Sequence, residues 1–71
     1  MPEFRIRSAD TKRVFAKGIQ ADLRLDDNVN CAQLLTREVR ERRLSKHMGW
    51  VLQGYDKRKG WIDVATVPPS K

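Results

Sequence analysis

The stretch Asp26-Asp27-Asn28-Val29-Asn30-Cys31-Ala32-Gln33-Leu34-Leu35-Thr36-Arg37-Glu38-Val39-Arg40-Glu41-Arg42-Arg43 is the one segment of this chain with a helical period. Apolar residues recurring every three to four positions mark a helix that buries one face. Advancing about 100° per residue from Val29 places Cys31, Leu35, Val39, Ala32 and Thr36 on one broad face. Arg37, Arg40 and Arg43 form a neighbouring stripe at i, i+3, i+6. Glu38 falls on a third side, where it can pair with Arg42 at i, i+4. Asp27 or Asn28 suits the N-cap, because a short side-chain oxygen can accept an orphan backbone N–H. Acids lead and arginines trail, which suits both ends of the helix dipole. The expected helix ends between Arg43 and His47, with Gly49 the nearest residue suited to a left-handed cap.

Extended chain lies on both sides of this helix. In 3–8, Phe4 and Ile6 alternate with Arg5 and Arg7, the mark of a half-buried strand. Ala9-Asp10-Thr11-Lys12 is short and polar, with Asp10 suited to a turn. Residues 13–25 make a second extended stretch, too long for one ordinary strand, and Gly18 is its natural bulge or break. After the helix, Trp50-Val51-Leu52-Gln53-Gly54-Tyr55 and Trp61-Ile62-Asp63-Val64-Ala65-Thr66-Val67 flank a loop of four or five residues ending in Gly60, a hairpin pattern. The expected fold is therefore α+β, in β-β-α-β-β order. A small antiparallel sheet of four or five strands carries the helix on one face and leaves the other bare. Residues 1–67 form a single domain, and 68–71, opened by Pro68-Pro69, form a loose tail.

Composition narrows the function. Seventy-one residues allow one domain with a modest core, to which a second copy in a homodimer or another partner can add. No apolar run approaches the roughly 20 residues that span a membrane, and the first residues have no apolar leader core. The expected location is cytoplasmic, with no membrane partner. One cysteine, Cys31, and one histidine, His47, cannot form an internal disulfide or a zinc site, so no metal or cofactor is expected. His47 has no nucleophile at a recognisable spacing, and the four glycines are too scattered for a phosphate loop.

Gly49-Trp50-Val51-Leu52, then Lys59-Gly60, then Val64 and Val67-Pro68, following a charged helix, resembles the small HicA-type mRNA-cleaving toxins over about half of the chain. The resemblance implies a catalytic histidine in the strand just after a glycine-containing turn. Here Trp61 follows Gly60, the hairpin holds no histidine, and the strand region before the helix breaks the family's helix-first order. No enzymatic activity is expected.

Charge supplies the stronger pattern. Fifteen Lys+Arg against nine Asp+Glu give a net charge of +6. Between 35 and 60, Arg37, Arg40, Arg42, Arg43, Lys46, Lys57, Arg58 and Lys59 face only Glu38, Glu41 and Asp56. Clustered cations neutralise phosphates and release condensed counterions. Trp50, Tyr55 and Trp61 lie in the same hairpin as Lys57–Lys59, and aromatics on an open sheet can stack bases. Strand alternation puts Trp50 and Tyr55 on opposite faces. The expected function is a nucleic-acid-binding regulator of DNA or RNA, gripping phosphates through Arg37, Arg40, Arg43, Lys46 and the Lys57–Lys59 tip. On that reading, reversing Arg37, Arg40 and Arg43 to glutamate abolishes retention. The alternative is a phage-type inhibitor or adaptor, such as a host-takeover or anti-CRISPR-like protein, that sets the same cations against an acidic protein surface or a ribonucleoprotein complex.

Overall fold

Alternation in Glu3–Ser8 builds the first strand, β1, with Phe4, Ile6 and Ser8 buried and Arg5 and Arg7 on the opposite face. In the structure, a computed structural model describing residues 1–70, β1 is followed by β2 (Val14–Gln20), α1 (Asn28–Glu41), β3 (Trp50–Asp56) and β4 (Gly60–Val67). The four strands form one antiparallel sheet in the order β2-β1-β3-β4. This is the expected α+β arrangement, with four strands. Register aligns three core rows across β1, β3 and β4: Phe4–Gly54–Ile62, Ile6–Leu52–Ala65 and Ser8–Trp50–Val67. α1 covers this inner face over β3 and β4.

The second strand stops at Gln20, short of the stretch to Leu25 expected from sequence. Two register shifts interrupt its pairing with β1. One contains Gly18 at φ +73°, a conformation that suits a residue without Cβ. The other lets Phe15 meet Trp50 edge-on, with centroids 4.9 Å apart. Ala21, Leu23 and Leu25 then pack on the core from an irregular connection. Gly54 makes that seating possible, since a Cβ there would collide with Leu25 Cδ2 and stand 3.2 Å from Phe4 Cε2.

The helix is rotated from its expected face. Cys31, Leu34 and Leu35 are buried, whereas Val29, Ala32 and Thr36 are exposed. Two adjacent leucines outweigh a weakly apolar stripe of Ala and Thr, because each buries far more apolar area. Asp27 is the N-cap, its Oδ1 accepting from Asn30 N at 3.1 Å. That bond and the Asn30 side-chain amide hold the Asp27 carboxyl below the ordinary range. At the other end the helix finishes at Glu41, earlier than expected, and Arg43 rather than Gly49 takes the left-handed position at φ +55°. Leu44 N–H donates to Val39 O at 3.0 Å and Arg43 N–H to Arg40 O at 3.2 Å, the two bonds of a Schellman cap. Gly49 instead packs tightly, with its Cβ position 3.1 Å from both Ala9 Cβ and Pro69 Cδ.

The 9–12 turn is organised by buried Ser8, whose Oγ accepts from Asp10 N and Thr11 N, and not by Asp10. Of the tail expected to be loose, Ser70 N–H donates to Lys46 O at 2.9 Å, and Lys71 lies outside the described residues. Among the described residues no helix is long and apolar enough to cross a membrane.

Candidate nucleic-acid interface

The face of the sheet that α1 leaves open carries a linked set of side chains from three strands. Arg5, Gln53 and Asp63 lie directly opposite one another across β1, β3 and β4. Gln53 bonds in both directions: its Oε1 accepts from Arg5 Nε at 2.8 Å, and its Nε2 donates to Asp63 Oδ1 at 2.8 Å. Arg7 donates from Nη2 to Asp63 Oδ2 at 3.2 Å. With Nε held, the Arg5 guanidinium sits 4.2 Å above the centroid of Trp61. Trp61 in turn meets its cross-strand partner Tyr55 edge-on, with centroids 5.3 Å apart and planes at 68°. Tyr55 is 47% exposed.

Strand alternation thus separates the aromatics as expected. Trp50 is 1% exposed on the inner face, its Nε1–H donating to Ser45 O at 2.8 Å. Tyr55 and Trp61 stand on the outer face, next to the basic tip. The tip is a three-residue loop, Lys57–Lys59, shorter than expected, with Gly60 at φ +78°. Asp56 Oδ1 accepts from Arg58 N at 2.7 Å and Lys59 N at 3.1 Å, which fixes the loop and lowers the Asp56 carboxyl pKa. Lys57, Arg58 and Lys59 are all exposed.

The cations predicted from sequence are spread over the molecule, with Arg37 and Arg40 sharing a shallow groove beside Ala32, Gln33 and Thr36. Arg40 and Lys46 flank a hollow lined by Thr36, Val39 and Val67, where β4 ends opposite Trp50. The Lys57–Lys59 tip lies beyond the Asp56–Gly60 pair at the other end of the hairpin. Six residue steps separate those ends, roughly 20 Å, on a molecule 35 Å long. Arg37 opens onto the groove formed by Gln20–Leu23, Asn30 and Gln33, and Arg43 has left the helical stripe for the cap. Arg42 and Arg37 approach Glu38, at 2.9 and 3.9 Å, and the Glu38 side chain is only 12% exposed. Among the described residues no carboxylate lies within 4.0 Å of Arg40, Arg43, Lys46 or the tip cations.

Arg5 and Arg7 belong to the cations that crowd the first hairpin with Lys12 and Arg13, and Gln53 and Asp63 are the members of this surface that the cation clusters did not single out. Their signal was positional. Each occupies the outward-facing phase of a strand whose other phase is apolar. Trp61 stands where the toxin resemblance would place a histidine, and His47 is exposed in the connection between α1 and β3. Among the described residues no group of three His, Cys, Asp or Glu could hold a metal ion. The chain matches no protein-family model, no curated protein and no solved structure.

Proposed function

We propose that this protein is a small, basic, non-enzymatic nucleic-acid-binding regulator that carries its ligand on the open sheet face and the adjoining hairpin tip. The observation that carries the reading is the Arg5 guanidinium bonded to Gln53 and lying over Trp61, beside exposed Tyr55 and three exposed tip cations. Lys57, Arg58 and Lys59 neutralise phosphates, and the aromatic and guanidinium surfaces take up bases. Arg37, Arg40, Arg43 and Lys46 add long-range attraction. Fluorescence anisotropy of labelled DNA and RNA at about 50 mM salt tests this, with affinity expected to fall steeply toward about 200 mM. Absence of binding to every nucleic acid at the lower salt refutes it.

A second reading, an inhibitor or adaptor that binds a protein or ribonucleoprotein complex, is favoured by the hollow of Thr36, Val39 and Val67 between Arg40 and Lys46. An acidic partner with an apolar anchor suits that chemistry. A pull-down from nuclease-treated lysate separates the two, since partners retained after digestion support the second.

A further inference from the structure

On the open sheet face, Asp63 is an acid placed among groups suited to nucleic acid. Its side chain is 51% exposed, and each oxygen accepts one bond, from Gln53 Nε2 and from Arg7 Nη2. A carboxylate oxygen can accept more than one hydrogen bond. The network therefore fixes the carboxylate in orientation and leaves acceptor capacity directed at solvent. Arg7, with its side chain only 15% exposed, offsets the negative charge that would otherwise repel a phosphate chain.

Asp63 stands two residues beyond Trp61 on the same face of β4, roughly 7 Å along the strand, which is the reach of one base. A base layered on Arg5–Trp61 or on Tyr55 therefore brings its edge to Asp63. A carboxylate is an acceptor only, and it pairs best with two adjacent N–H donors. Guanine alone among the common bases offers two neighbouring donors on its Watson–Crick edge, N1–H and the N2 amino group. In a duplex those donors are committed to cytosine, and both faces of the base are stacked. Aromatic side chains on a flat sheet reach only bases that are unpaired and splayed.

We infer that this face binds single-stranded nucleic acid and selects guanine, the base stacking on the Arg5–Trp61 pair or on exposed Tyr55 while N1–H and N2–H donate to Asp63. The inference rests on the nucleic-acid reading above and names its ligand. Gln53 is a positioning residue: it bonds Arg5, which lies over Trp61, and Asp63 at the same time. The Lys57–Lys59 tip takes the phosphates of the same strand.

The test is anisotropy of wild-type protein with three single strands of one length, thymine-only, guanine-containing and inosine-for-guanine, plus the guanine strand annealed to its complement. Inosine lacks only the N2 amino donor. The guanine strand is expected to bind about tenfold or more tighter than the thymine strand, with inosine falling between them and the duplex weaker than the guanine strand. D63N is expected to bring the guanine and thymine strands together in affinity, with circular dichroism checking that the variant is folded; a folded D63N that keeps the full wild-type preference for guanine overturns the inference. Equal affinity for guanine and inosine strands, or a duplex bound as well as the single strand, overturns the inference and leaves the nucleic-acid reading standing. No retention of any strand overturns both.

Discussion

The outer edge of α1 and the outer face of the sheet are both rich in arginine, yet they hold it differently. On the helix, Arg42 and Arg37 turn to Glu38, Arg43 serves the cap, and Arg40 shares a hollow with Lys46. On the sheet, Arg5 and Arg7 are tied across strands to Gln53 and Asp63, and Arg5 lies on Trp61. A surface arginine on a helix is a mobile charge worth little by itself in water. A guanidinium fixed by a bidirectional hydrogen-bond chain has already given up its rotamer freedom, so a ligand meets it with less entropy to lose. Net charge alone does not separate the two regions. Preorganisation does.

The comparison can be broken most severely from below. Both surfaces depend on one core, and Gly54→Ala drives a methyl group into Leu25 on the row that joins Phe4 to Ile62. A loss of about 1–3 kcal/mol is expected, as for other overpacked cores, a sizeable share of what so short a chain holds. Urea unfolding followed by tryptophan fluorescence should show the shift, and an unchanged midpoint would contradict the seating of Leu25.

A sharper division comes from substitutions on each surface. Tyr55→Ala is expected to weaken nucleic-acid binding by about 1–3 kcal/mol, the usual worth of one stacked base, with little change in stability because the ring is half exposed. Replacing Lys57, Arg58 and Lys59 with alanine should lower affinity and reduce the salt slope by about 2. Reversing Arg37 and Arg40 to glutamate should cost less than either change, read by the same anisotropy titration. A larger loss from the helix pair would return the interface to α1.

Smaller effects concern how each region is locked. Arg43→Gly relieves a left-handed residue at the Schellman cap and should raise stability by about 0.5–1 kcal/mol, measured by thermal melting. At low pH, the Asp27 cap and the Asp56 turn both weaken. Each carboxyl has its folded pKa lowered by backbone N–H bonds, with the Asn30 side-chain amide the largest cause at Asp27. Their contribution is whole above the unfolded carboxylate value of about 3.9 and is lost as pH falls through the lower folded values. The pair Asp27→Ala and Asp56→Ala should flatten the acid limb of a melting-temperature profile.

Much of this is legible in the sequence. Alternation around Phe4 and Ile6 defined β1 to the residue, and Asp27 or Asn28 marked the helix start, of which Asp27 is the cap. The parity of Trp50 and Tyr55 put them on opposite faces, and packing decided that Trp50 is the buried one. Other features were hidden for physical reasons. The helix face turned toward Leu34 because burial area, not the count of weakly apolar positions, sets rotation. Arg43 in a left-handed cap carries no sequence signal, since the usual mark is glycine. The end of β2 at Gln20 depended on Leu25 finding the bare surface of Gly54.

The sequence by itself determined the order of elements, the two-faced strands and the excess of positive charge, because these follow from side-chain period and composition within a few residues. Only the tertiary structure decided which cations meet. Arg5, Gln53 and Asp63 are separated by 48 and 10 residues along the chain. Strand order and register, fixed by the packing of the inner face, brought them into one row on the outer face.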